Sequence, residues 1–586
     1  MVLAVLVVII LVLLISYKLY ISPVVKRNIN PDSKRSTPAR RQMDGVDFFP
    51  TRSSILTGFQ LRSISLDVII APVIAVQFGW LPAILWLIFG AVFFGWAHDY
   101  LSTMISVRSS GKPFTQLFDQ MFNQKSRSLI YWFLLFYLLI IISQFSLLLS
   151  SLLGRVDIPF AIIFLVLVSL LSGILIYRTR LNLVMISLFA LAFAVLGIWF
   201  GFTNQIRDGI GQVNYFIGEQ GMTDSLESIF GGITLQTIFY LIMVFIICYL
   251  GANLPTWRFA VPFNYLTNWL VVIGFTIAII GLILGTLRGS ISGSFEIPPV
   301  VTTYQPHIGP LWPILFVTLS SGTISGWHSL VSSFTTSHQV EKEPEVLPVT
   351  TKGMFGETIM VAIIIIFAAI FGVSSGIFNL EGNYMLVSGP ASVFATGFAK
   401  TWNAVGVSQT VGASISAILL TLMGLSVLNL AVRYARDIQS ELFGGGIPLF
   451  KNQHISTIIV LIVSMLLILI GLREWLWILF AGANQLLAAL VLMFATIWLA
   501  KQNKSIWWIF IPSIFIFITG LAAIIYSSVY QPFLKAILFT QDIPNQISPE
   551  SILLLIFGIF FSVTSVYIFI IGLGKLHRIK LSGSLS

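Results

Sequence analysis

His98, Asp99, His328 and Glu357 are titratable side chains embedded in long apolar stretches. A charge in hydrocarbon is costly unless it is paired or used, so each of these residues is a candidate for proton or cation handling. His98 and Asp99 are adjacent and point about 100° apart on a helix, so by themselves they make no metal site. Asp67 falls about 18 Å into its apolar segment at 1.5 Å per residue. Its side chain is too short to reach the interface, and Pro72 frees backbone carbonyls upstream of itself. A carboxylate beside unwound backbone suits a proton or cation site. The alternative is a salt bridge to Arg62 that only holds helices together. Arg62 lies about 10 Å in by the same rise and is long enough to snorkel outward.

A second group is polar without charge. The run from Ser320 to Ser329 contains Ser321, Gly322, Thr323, Ser325, Gly326 and His328. So weak a helix former near mid-bilayer is expected to be interrupted, exposing backbone groups to a solute or ion, or else to be a small-residue packing face. Asn484 and Gln485 sit inside another apolar segment and need partners there. They are candidate solute ligands or interhelical glue. Asn429 and Arg433 fall at the same depth as His98, Asp99, His328 and Glu357, so all six could share one polar cluster. Gly251 to Arg258, with Pro255, is either a loop or another discontinuity.

The elements that must position these groups are transmembrane helices. Of 586 residues, 57% are apolar and only 9% charged, against about 25% charged in a soluble domain. A spanning helix needs about 20 apolar residues, and about fifteen segments meet that test. They lie near 2–22, 55–78, 81–105, 129–153, 158–177, 181–202, 234–252, 267–287, 311–334, 355–379, 410–435, 454–471, 475–499, 505–527 and 550–574. Segment length and the lack of two-residue alternation exclude strands, giving an all-α, polytopic membrane protein. The lone Cys248 excludes an internal disulfide and any cysteine-based metal site.

Lys and Arg set the expected orientation. Of 32 such residues, 24 lie in alternate connections beginning with 23–54 or in the C-terminal tail, and 6 lie in the opposite set. This split predicts an outside N-terminus and a cytoplasmic C-terminus. It also explains the net charge of +10 without nucleic acid as a partner. The first segment has no basic residue before it and a basic cluster after it (Lys26, Arg27, Lys34, Arg35, Arg40 and Arg41), the pattern of an uncleaved anchor. The expected organisation is an anchor at 1–22, a basic cytoplasmic loop at 23–54, a core at 55–500, and further helices with a tail at 501–586.

The polar motifs resemble the carbon starvation protein A (CstA) family. Ser321 to Ser333 is similar to the family's Cys-Gly-Ala-Ile-Ser-Gly-Phe-His-Ser-Leu-Val-Ser-Ser. Ala75 to Pro82, running on to Gly95, His98-Asp99 and Ser106-Val107-Arg108, is a second match. Phe480 to Leu490 resembles Phe-Gly-x-x-Asn-Gln-Leu-Leu-Ala-Ala-Leu. Weaker echoes are Asn30-Pro31-Asp32 with Pro38-Ala39, and Gly45-Val46-Asp47 with Pro50-Thr51. The resemblance implies a LeuT-type inverted-repeat core and uptake of peptides or pyruvate, coupled to protons, in a carbon-starvation response.

Two departures fall on candidate sites. The family's Gly-His-His-Phe and Gly-Ala-Gly-Pro runs are replaced by Gly58-Phe59-Gln60-Leu61-Arg62 and Leu66-Asp67-Val68-Ile69. A family Leu-Thr-x-Leu-Asp-x-x-x-Arg pattern reads Leu425 to Asn429 and Arg433, an acid turned amide.

These observations predict a secondary transporter of the plasma membrane that takes up a small polar solute. No phosphate-binding Gly-Lys-Ser/Thr loop is present for ATP, and neither is His-Glu-x-x-His. The expected solute ligands are Arg62, Asp67, Ser321, Gly322, Ser325, Gly326, Asn484 and Gln485. The expected coupling residues are Asp67, His98, Asp99, His328, Glu357, Asn429 and Arg433. The expected partners are the solute, the lipid bilayer and a proton or cation, with no cofactor and no resident metal. Two other classes stand beside this one. One is a sensor or scaffold that has lost transport, and the other is a membrane enzyme with a metal held by His98, Asp99 and His328.

Overall fold

The computed structural model describes residues 1–63, 67–121, 124–218, 233–320, 322–379, 384–387, 389–470, 476–534 and 549–583. Ser321, one of the expected solute ligands, lies outside these residues. In chain order the helices are α1 (Val2–Asn28), the half-length pieces α2 (Ser53–Ser63) and α3 (Ile70–Ala75), α4 (Trp80–Arg108), α5 (Gln124–Leu153) and α6 (Pro159–Arg178). There follow α7 (Leu183–Gly201), α8 (Asn204–Gly218), α9 (Leu235–Asn253) and α10 (Ala260–Leu287). Then come the short pieces α11 (Leu311–Thr318) and α12 (Gly326–Val331), α13 (Glu343–Phe371), α14 (Pro390–Asn403) and α15 (Gln409–Phe443). The chain closes with α16 (Gln453–Leu469), α17 (Leu476–Ala500), α18 (Trp507–Pro532) and α19 (Pro549–Gly583).

Among the described residues, twelve helices are long and apolar enough to cross a bilayer: α1, α4 to α7, α9, α10, α13, α15 and α17 to α19. The chain is therefore a multi-pass helical membrane protein. The stretch from Gly251 to Arg258 is the last turn of α9 and the connection from it towards α10, and no spanning helix is interrupted there.

Composition sorts the helices into layers. The apolar stretch of α17 is 100% buried and that of α7 only 22%. α13 carries an unbroken run from Met360 to Phe371, apolar on every side, and it is buried on every side. α7 turns Val184, Met185 and Leu188 outward, as a helix against lipid must.

The basic loop at 23–54 is tied down along its length. Ser36 bridges to Lys342 and Thr51 to Val340. Glu343, fully buried, takes Arg108 at 3.0 Å and Arg35 at 3.2 Å. Phe48 stacks on His338 with ring centres 4.1 Å apart. The loop thus crosses the segment between α12 and α13 and the end of α4.

Candidate functional site

Two interruptions meet inside the bundle. α11 ends at Thr318 and α12 starts at Gly326, so the serine- and glycine-rich run is an interrupted helix. Gly322 has φ +74, a left-handed conformation that glycine adopts without strain. α2 ends at Ser63 and α3 starts at Ile70, with Asp67 to Ile69 in a turn. The indole of Trp327 on α12 donates to the Ser63 carbonyl at 2.8 Å and ties the two interruptions together.

A broken helix leaves backbone donors at one end and acceptors at the other without partners. Asn484 and Gln485 of α17 serve one end each. Asn484 Oδ1 accepts the backbone N–H of Trp327, in the first turn of α12, at 3.0 Å, and the Tyr137 hydroxyl at 2.7 Å. Its Nδ2 donates to Ser325 at 2.9 Å and to Ser320 at 3.2 Å. Gln485 Nε2 donates to the Phe316 carbonyl, near the end of α11, at 2.7 Å. Gln485 Oε1 is buried and makes no hydrogen bond among the described residues. The glue alternative therefore accounts for Asn484 and half of Gln485.

Small residues let the neighbours close in. A Cβ on Gly326 would lie 2.4 Å from the Asn484 carbonyl oxygen, and one on Gly95 of α4 would lie 2.1 Å from the Thr323 carbonyl oxygen.

Replacing Asn484 by Ala strands Tyr137, Trp327 N–H and Ser325 at once. Each buried group left unpaired costs about 1–3 kcal/mol, so a loss of at least about 2 kcal/mol is expected. Thermal unfolding of the purified variant checks this, and a midpoint equal to wild type would contradict it.

Four titratable residues form a continuous buried chain. Asp99 accepts His98 Nδ1 at 3.0 Å and His328 Nδ1 at 3.1 Å. His328 Nε2 faces Glu357 Oε2 at 3.3 Å. All four side chains are fully buried. Arg62 is also fully buried, so it does not snorkel; one terminal nitrogen rests 3.1 Å from Met360 sulfur, and Glu357 lies close enough to act on its charge.

The chain has a consequence for protons. An ionised Asp99 accepts from both imidazoles, so His328 Nδ1 carries a hydrogen. Its Nε2 and Glu357 Oε2 stand 3.3 Å apart, and a proton on either atom would link them. With it on His328, the Asp99, His328, Glu357 and Arg62 charges cancel. Without it, a net negative charge is left buried. His98 Nε2 is buried without a hydrogen-bond partner among the described residues.

Two expected members lie elsewhere. Arg433 binds Asp47 at 2.7 Å and the Leu254 carbonyl. Asn429 is buried against Gly251 of α9. Equal depth on different helices put them in one set; the direction each side chain faces separates them. Asp67 is buried on its turn, near enough for its charge to act on Tyr137.

Sequence reasoning missed Tyr137 and gave Gln60 no role. Gln60 takes the hydroxyl of Thr336 and donates to Ser332 at 3.3 Å, joining α2 to the segment after α12. A tyrosine in an apolar span needs a partner for its hydroxyl, which was the available signal.

The family model of carbon starvation protein CstA matches residues 1–386 and 376–523. The peptide transporter CstA of Campylobacter jejuni is 24% identical over 579 residues, covering 87% of this chain and 78% of that protein. The peptide transporter CstA of Bacillus subtilis is 26% identical, covering 60% of this chain and 55% of its own length. The pyruvate/proton symporter BtsT of Escherichia coli is 26% identical, covering 61% of this chain and 48% of its own length. The aligned stretch thus spans about half of these last two relatives. A solved manganese transporter of Eremococcus coleocola covers 92% of this chain at 11% identity and a TM-score of 0.44, a likeness too weak to carry over any feature of its site.

Proposed function

We propose, from the premise that this chain belongs to the carbon starvation protein CstA family, that it is a proton-coupled secondary transporter of a small carboxylate-bearing solute. Its relatives are named as peptide transporters and as a pyruvate/proton symporter, which favours transport over an enzyme or a silent sensor. The observation that carries the reading is the buried chain from His98 to Glu357, set beside two interrupted helices.

The solute sits between the turn at Asp67 to Ile69 and the break before Gly326. Backbone donors there and Arg62 are the groups that would hold its carboxylate, since helix ends and guanidinium groups favour carboxylates, and Gln485 Oε1 would accept from a donor on the solute. His328 and Glu357 carry the coupled proton. Three further segments cross the bilayer besides the twelve long helices: the α2/α3 pair, the α11/α12 pair and α16. That makes fifteen spans, with a LeuT-type repeat in the core, in the plasma membrane. The N-terminus is outside and the C-terminus cytoplasmic, as the basic residues favour. The anchor is 1–22, the cytoplasmic strap 23–54, the transport core 55–500, and 501–586 the closing helices and tail.

Labelled pyruvate and a labelled dipeptide, offered to proteoliposomes with and without an imposed proton gradient, test the reading. Gradient-driven accumulation of either is the expected result. Absence of both in folded protein would contradict it. Asp67→Asn is expected to abolish coupled uptake while leaving expression intact; wild-type uptake in that variant would remove Asp67 from the site.

A further inference from the structure

We infer that the basic face carries a site for an anionic phospholipid headgroup between the start of α2 and the α6–α7 turn. A cavity of about 580 Å³ elsewhere has its charges engaged: Glu296 takes the Val373 and Ser374 N–H groups, Lys400 donates to Ser375, and Arg288 donates to Ala404. A second cavity is smaller, about 240 Å³, and two arginines line it.

Arg52 and Arg180 line it, and neither guanidinium makes an ion pair or hydrogen bond among the described residues. The acid on its rim, Glu341, is turned to Arg40 at 3.4 Å. Arg178, next to the turn, is stacked over Trp257 at 4.8 Å and not available. Two helices begin at this cavity, α2 at Ser53 and α7 at Leu183, and their positive ends add to the two guanidinium groups. A phosphodiester whose headgroup carries no compensating cation is the chemistry that two arginines and two helix N-termini select.

The walls argue for a lipid as its source. Ile55, Ile176, Leu183 and Ile186 line the cavity. Leu181 on its wall and, beside it on α7, Val184, Met185 and Leu188 are more than half exposed. A headgroup seated on the arginines has its acyl chains against that strip. The same lipid would brace α2, the half-helix that carries Gln60 and Arg62 inward, against the α6–α7 turn.

The test uses the purified full chain in detergent, with dioleoyl phosphatidylglycerol, dioleoyl phosphatidylcholine or inorganic phosphate added. In native mass spectrometry, Arg52→Gln with Arg180→Gln should lower phosphatidylglycerol retention roughly tenfold, the loss expected for two charge-assisted contacts. Phosphatidylcholine retention should not change. Arg41→Gln with Lys451→Gln, an equal loss of charge on the same face, should keep wild-type retention. Equal loss in both pairs, or no loss in the first, would overturn the site. Full competition by millimolar inorganic phosphate would overturn the lipid assignment in favour of a free phosphate site.

Discussion

Asp99→Asn is expected to reduce gradient-driven accumulation to the level of protein-free liposomes. Among the described residues Asp99 is the group hydrogen-bonded to both imidazoles, and as a carboxylate it accepts from each. An amide of the same shape presents one acceptor oxygen and a donor nitrogen. It cannot serve both Nδ1–H groups, and it removes the negative charge that faces His328 at 3.1 Å. The link to Glu357 then loses its shared proton or its order. Removing one partner of a buried ion pair costs about 3–5 kcal/mol, so a lower unfolding midpoint is expected as well. Transport is therefore read per folded molecule, after size exclusion. Accumulation at the wild-type rate in that folded fraction would refute the role given to Asp99.

Gly326→Ala carries the second large effect. The added Cβ would sit 2.4 Å from the Asn484 carbonyl oxygen and 2.6 Å from Leu487 Cβ, both on α17. A carbonyl inside an intact helix cannot swing aside as a flexible side chain could. Either α12 moves off α17 or strain is stored, at about 1–3 kcal/mol. Moving α12 breaks the Asn484 contact to Trp327 N–H and shifts His328, two residues further along, away from Asp99. Misplacing a functional group by about 1 Å can cost on the order of 100-fold in rate, and a loss of that order in initial uptake is expected. Gly389→Ala is the control, because among the described residues no atom beyond its chain neighbours stands within 4 Å of its Cβ position. Equal uptake by both variants would show that the close approach of α12 to α17 is not needed.

Much of this was legible before any coordinates. Glycines and hydroxyls in one apolar run announced the break before Gly326, because such residues hold a helix weakly. Titratable residues in hydrocarbon announced a buried network. Depth along each helix was readable from the rise per residue, and it brought His98, Asp99, His328 and Glu357 to one level. Rotation about each helix axis was not readable, which is why Asn429 and Arg433 were grouped with them and face elsewhere. Asn484 and Gln485 were recognised as polar groups in need of partners, but those partners include backbone atoms of the interrupted helix, the Trp327 N–H and the Phe316 carbonyl. Only the folded chain shows which helix crosses the gap. The same interruptions leave α2/α3 and α11/α12 too short, piece by piece, to register as spanning helices.

The central claim is that His328 and Glu357 carry the proton that drives uptake. Proteoliposomes loaded with a pH-sensitive dye report it when pyruvate, or a dipeptide, is added outside. Wild type should acidify the lumen as the solute enters. Glu357→Gln should exchange labelled for unlabelled solute across the membrane yet produce no acidification. Acidification at the wild-type rate in Glu357→Gln would contradict the claim.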